Sequence, residues 1–287
     1  MQDEIVQQIV VNLRVEVLEA EFARVRQVPT ENLTAYDFYL RGLQVGVRAL
    51  TEASKEANEQ ARQMYGKAVE LDLTYAEAYA MLGWTYYNEF FNRWAADSSQ
   101  ALERAFTLAQ QAVALDDSLP TPHLVLGFAF LMEKQHEQAV AEVGRAMALD
   151  PNNPNTHLTL GIVLAFAGQP EDGVEFVEQA LRLNPRYPAN YLQNLGRAYR
   201  LAGRCEEAIA PLKQAIALSP TFIPSRVNLV VCYVELGREE EARAEATEVL
   251  RLNPNYSLEK AWRHNQPFKD PRVLDHFFAA ARKAGLK

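Results

Sequence analysis

The chain has 287 residues and a formal net charge of −8, with 48% hydrophobic and 23% charged residues. That is the composition of a folded globular chain, so wholesale disorder and low complexity are excluded. The acidic balance also argues against a general nucleic-acid binder, which needs clustered Lys and Arg, and two cysteines cannot build a disulfide framework.

The first element predicted is an amphipathic helix over residues 3–26, where Ile5, Ile9, Leu13 and Val17 recur at offsets of four. Residues 1–30 read as a connector that either packs on the first repeat, leads to an upstream domain or forms a dimer helix. The acidic start MQDEIVQQIV lacks the basic residues and cleavage site of a signal peptide. The longest apolar stretch, Leu124 to Met132, is far short of the roughly 20 residues a membrane-spanning helix needs. The expectation is a soluble region that does not itself insert in a membrane.

From residue 31 a repeat takes over. Pro151, Pro185, Pro220 and Pro254 are separated by 34, 35 and 34 residues, and Gly127, Gly161 and Gly196 by 34 and 35. Ala146, Ala180 and Ala215 keep the same intervals. Each unit reads as two helices. In Glu137–Leu149 the residues Ala139, Val143, Ala146 and Leu149 share one helical face, and Asp150-Pro151 ends the helix because proline cannot continue the ladder. Gly168, Gly203 and Gly237 stand between paired helices, suited to a left-handed stop. Six units fit into 31–256, two with insertions: one near 50–56, in a weak first unit marked by Gly42 and Ala61, and one near 91–100. The second insertion carries Phe90, Phe91, Arg93 and Trp94, read either as rings folded back on an extended helix or as an exposed interaction patch. Residues 257–287, with a main helix at Asp270–Lys283, are expected to cap the last apolar face.

This sequence resembles the tetratricopeptide repeat. The Leu-Gly pair at positions 7 and 8 is Leu82-Gly83, Leu126-Gly127, Leu160-Gly161 and Leu195-Gly196, and position 20 holds Ala105, Ala139, Gly173, Ala208 and Ala242. The resemblance implies an all-α, right-handed superhelix. A second resemblance covers nearly the whole chain. The stretches PTENLTAYDFYLRG, ALDDSLPTPHLVLG and FKDPRVLDHFFAAARKAGLK look like the C-terminal repeat region of bacterial class III adenylate/guanylate cyclases and related signalling regulators. In such proteins the repeats follow a cyclase or a winged-helix domain, often with a membrane segment between. That places the region in the cytoplasm, or outside the inner membrane if its parent is anchored. No cyclase metal-binding aspartates occur in context, so the chain itself is not expected to be an enzyme and calls for no cofactor or metal.

By the same resemblance, the first helix of each unit lines a concave groove. The candidate binding residues are Tyr39, Trp84, Tyr87, Phe128, Leu131 and Phe166, followed by Asn190, Gln193, Asn194, Arg197, Arg200 and Asn228. The aromatics offer either anchors for a partner or internal packing. The amides suit an extended peptide backbone, and Arg197 and Arg200 suit a carboxylate. A clamp of the chaperone-binding kind is excluded, since only Asn228 fits it. His123 and His157 sit at equivalent positions of adjacent units but lack a third metal ligand. Cys205 and Cys232, in neighbouring units, read as buried thiols rather than a bridge. The function expected is a scaffold for a protein or peptide partner, with self-association or signal relay to a parent chain as the alternative.

Overall fold

The structure is a computed structural model that describes residues 30–51, 54–262 and 266–287. The connector helix expected over 3–26 lies outside the described residues. Fourteen helices and no strand are present among the described residues. They pair as α1 (Leu33–Thr51) with α2 (Lys55–Leu71), α3 (Ala76–Phe91) with α4 (Ser98–Leu115), and α5 (Pro120–Met132) with α6 (His136–Leu149). The series continues with α7 (Pro154–Phe166) and α8 (Pro170–Leu183), α9 (Ala189–Leu201) and α10 (Cys205–Leu218), and α11 (Ile223–Glu235) and α12 (Glu239–Leu252). Each pair packs on the next, which makes an α-solenoid. Two more helices follow, the short α13 (Leu258–Trp262) and α14 (Arg272–Lys283).

Why the helices pair so closely is visible at Gly161. A Cβ there would lie 2.6 Å from Val177 Cγ2 and 2.8 Å from the carbonyl oxygen of Gly173, so only hydrogen fits between α7 and α8. Ala146, Ala180 and Ala215 are fully buried on the second helices, where small side chains keep the layers close. The turn inside each pair repeats one geometry. Gly168, Gly203 and Gly237 have φ of +86°, +74° and +72°, while the N–H of Arg204 bonds to the carbonyl of Tyr199 at 2.9 Å, a closed left-handed stop. Lys134 and Arg93 adopt the same φ region, at 61° and 58°, without glycine's freedom.

The insertion near 91–100 is divided among three places. Helix α3 has 16 residues against 13 in α5, and α4 has 18 against 14 in α6. The connection 92–97 takes up the rest. Phe90 is half-buried against the core, and Phe91 is exposed but stacks on Tyr87 at 5.9 Å. The rings therefore mostly fold back on a lengthened helix.

His123 and His157 are held by internal hydrogen bonds. His123 is 1% exposed, with Nδ1 2.7 Å from Glu142 Oε2, and His157 Nε2 donates to the carbonyl of Pro151 at 2.8 Å. Cys205 and Cys232 are both buried and free. The Cys205 thiol donates to Glu235 Oε2 at 2.7 Å, and its neighbour Cys232 together with burial pushes its pKa up.

Candidate functional site

The groove face begins in an aromatic layer. Tyr39 is wedged between the rings of Tyr65 at 5.9 Å and Tyr75 at 5.1 Å, and burial pushes its hydroxyl up to about 12. This residue does internal packing. Next along the chain, Trp84 lies 5.6 Å from Tyr87 and 5.8 Å edge-on to Phe128, and Tyr87 stacks on Phe128 at 4.9 Å. Tyr87, Phe128 and Phe166 are buried and Leu131 is fully so, whereas Trp84 stays half-exposed. Burial raises the pKa of the Tyr87 hydroxyl, and the positive charge of Arg197 opposes that rise.

The polar layer is held by its own hydrogen bonds. Asn194 Nδ2 donates to the carbonyl of exposed Asn190 at 2.9 Å, and Asn194 Oδ1 accepts from Arg197. Gln193 is buried beside them. The Arg197 guanidinium lies over the Phe166 ring at 4.7 Å, and burial with neighbouring Arg200 lowers its pKa to about 10. Arg200 Nε donates to Asn228 Oδ1 at 2.9 Å, and Asn228 Nδ2 donates to the carbonyl of Pro224 at 2.9 Å. Arg200 is only 5% exposed, and its Nη2 has no hydrogen-bond partner among the described residues. Neither arginine forms an ion pair among the described residues, although Arg62, Arg204, Arg226 and Arg238 all do. A buried cation without an ion pair is costly; Arg200 is one, with Glu235 acting on it from beyond ion-pair distance, and the half-buried Arg197 stands one helical turn away.

Register and spacing did not reveal what lies on top of these residues. Residues 266–287 do more than cap the last pair. The carbonyl of Pro267 accepts from His136 Nε2 at 2.7 Å, and the N–H of Lys269 bonds to the carbonyl of Phe166 at 3.0 Å. The Phe268 ring sits 4.9 Å from that of Phe166. From there α14 runs back toward the end of the solenoid. Its Phe277 ring lies 4.8 Å from the Arg200 guanidinium and 4.6 Å from the Trp262 ring. His276 approaches Glu235 at 3.2 Å, and Lys283 pairs with Glu239 at 2.9 Å. Val227 and Val231, which belong to the groove face of α11, are fully buried in the cluster that includes Phe277 and Phe278. This segment forms a strap along the groove from the sixth repeat back to the third. A cap on the last apolar face describes α14, which packs in one cluster with α11, but not the reach of 267–269 to His136 and Phe166.

Comparison with known proteins agrees with this architecture. Tetratricopeptide-repeat profiles match residues 153–221 and 199–262. A putative adenylate cyclase of Rhizobium meliloti (strain 1021) is 32% identical over 139 residues, which is 48% of this chain but only 23% of that protein. The chain therefore answers to about a quarter of the relative's length. Among solved structures, the Cut9–Hcn1 hetero-tetramer of the APC/C superposes with a TM-score of 0.65 at 17% identity, covering 93% of this chain and 46% of that one. The thermophilic repeat protein TTC0263 of Thermus thermophilus gives 0.51 at 24% identity, covering 71% and 98%. No described helix is long and apolar enough to cross a membrane. With its 34-residue register, its helix-pair solenoid and repeat profiles over residues 153–262, this chain has the fold of tetratricopeptide-repeat proteins and resembles cyclase-associated repeat regions.

Proposed function

We propose that the concave groove binds a protein or peptide segment, and that the chain is the non-enzymatic, partner-binding region of a cyclase-type signalling protein. A tetratricopeptide-repeat solenoid is a protein-interaction scaffold; the groove and the signalling role are the finer reading. One observation carries the groove: the partly exposed Trp84 beside Tyr87 and Phe128, with Arg197, which has no ion pair among the described residues, lying over Phe166 further along the same face. Aromatic rings supply desolvated anchors, and a guanidinium with no internal carboxylate favours a partner that brings one. The relation to a cyclase rests on the stretch shared with the Rhizobium meliloti protein.

The test is capture of partners from cell extract with the intact chain and with Trp84→Ala, Phe128→Ala and Arg197→Ala combined. Loss of captured proteins, with the circular-dichroism spectrum intact, supports the groove. A triple variant that keeps every partner while losing self-association refutes it. Self-association is the second reading, and the exposed Leu33 and Leu40 on one face of α1 favour it, at 72% and 44% exposure. Turnover of ATP or GTP by the chain would overturn the non-enzymatic assignment.

A further inference from the structure

We infer that residues 266–287 are a displaceable internal occupant of the groove, and that the ligand replacing them is an acidic, apolar segment whose carboxylates pair with Arg197 and Arg200. The inference rests on the groove-binding reading above and names its regulation and its partner chemistry. The strap covers the C-terminal half of the groove and leaves Trp84 half-exposed.

The strap fits the apolar part of this surface well and the charged part badly. Phe268 covers Phe166, and Phe277 and Phe278 join the cluster that buries Val227 and Val231. Against Arg200, however, the strap brings only the aromatic face of Phe277, and Glu235, which acts on Arg200 from beyond ion-pair distance, pairs with His276 of the strap; Arg197 lies over Phe166 of α7, itself covered by Phe268. Arg200 Nη2 is left buried and unpartnered, and so is Oε1 of Gln266 on the strap. A buried donor on a charged group is expensive to leave unsatisfied. A segment that keeps apolar side chains over Phe166 and Val231 and adds a carboxylate at Arg200 satisfies what the strap does not. The strap's outer anchors are exposed ion pairs, Lys269 with Glu137 at 2.6 Å and Lys283 with Glu239 at 2.9 Å. Exposed pairs contribute little holding energy.

The test uses the full chain and a short synthetic peptide of alternating Leu and Glu with a free C-terminal carboxylate. A Leu/Gln version with an amidated end is the control. Hydrogen exchange follows the amides of 272–286, and fluorescence anisotropy follows binding. Bound Leu/Glu peptide should speed strap exchange, and the control peptide should not. Phe277→Ala should tighten binding about tenfold, because a competitor present most of the time lowers apparent affinity by the fraction of molecules left open. Arg200→Gln should weaken binding by about tenfold or more. Should Phe277→Ala disturb the fold, the double variant Lys269→Glu with Lys283→Glu loosens the strap from outside and should speed its exchange without peptide. If strap exchange stays slow with peptide bound, or if affinity is unchanged in both loosened variants, the strap is a fixed part of the fold and the inference fails. In that event a chain that still loses its captured partners on Trp84→Ala retains the groove reading alone.

Discussion

Close approach of the paired helices makes opposite forecasts for two glycine-to-alanine substitutions, Gly161→Ala and Gly144→Ala. In a helix interior, alanine is favoured over glycine by about 1 kcal/mol. At Gly144, on α6, nothing lies within 4 Å of a new Cβ. Gly144→Ala should therefore stabilise the chain by about 0.5–1 kcal/mol. At Gly161 the new Cβ would meet Gly173 O at 2.8 Å and Val177 N at 3.1 Å, both backbone atoms, as well as Val177 Cγ2 at 2.6 Å. No rotamer change removes a backbone clash, so α7 and α8 must separate. Overpacking of this kind costs about 1–3 kcal/mol and outweighs the propensity gain. The expected net loss is about 1–2 kcal/mol, or a melting point lower by several degrees for a chain of this size. Thermal unfolding followed by circular dichroism at 222 nm measures both variants. Equal melting points, or a more stable Gly161→Ala chain, would refute the close-packed pair.

The left-handed stops give a second pair of outcomes. Gly168→Ala forces a side chain into φ of +86° and should cost about 1–2 kcal/mol, whereas Lys134→Gly relieves a similar strain at φ of 61° and should gain up to about 1 kcal/mol, both read by chemical denaturation. The strap should loosen in acid. Glu137 and Glu239 are held below the ordinary carboxylate value of 4.5, first of all by their hydrogen bonds to Lys269 and Lys283. A lowered folded pKa means their contribution is complete above 4.5 and disappears as pH falls through the depressed values. After correction for intrinsic rates, exchange over 272–286 should therefore accelerate below about pH 4 relative to helices such as α8; an unchanged ratio would show that these pairs hold nothing. Cys205 and Cys232 should resist a thiol reagent in the native chain and react fully once unfolded, because both are buried and the Cys205 thiol is biased toward its neutral form. Rapid native labelling would contradict their burial.

Most of the fold is legible in the sequence because its determinants are local and repeated. Pro151, Pro185, Pro220 and Pro254 mark helix ends, and Gly168, Gly203 and Gly237 take the positive φ that their place between helices requires. The groove is only half legible. Register places Trp84, Phe128, Arg197 and Arg200 on the inner helices, but register cannot say what covers them. Tyr39 looks like an anchor in sequence and is wedged between Tyr65 and Tyr75 in space. Leu131 has the same inner register and no exposure at all. The path of the strap is a matter of long-range contact: Pro267 reaches His136 across 131 positions of chain. No local pattern encodes that pairing. Nor does a sequence show that a particular arginine lacks a carboxylate, since the missing partner is defined by everything folded around it.

Photocrosslinking from a single placed residue most directly tests whether the hollow is the working face. Benzoylphenylalanine replaces Trp84 in one copy of the 287-residue chain, and Gln111, an exposed position on the outer helix α4, in another. Irradiation in cell extract should attach the same partner segment at position 84 and nothing reproducible at position 111. Reproducible crosslinks from 111 with none from 84 would move the binding surface to the outside of the superhelix and contradict the account.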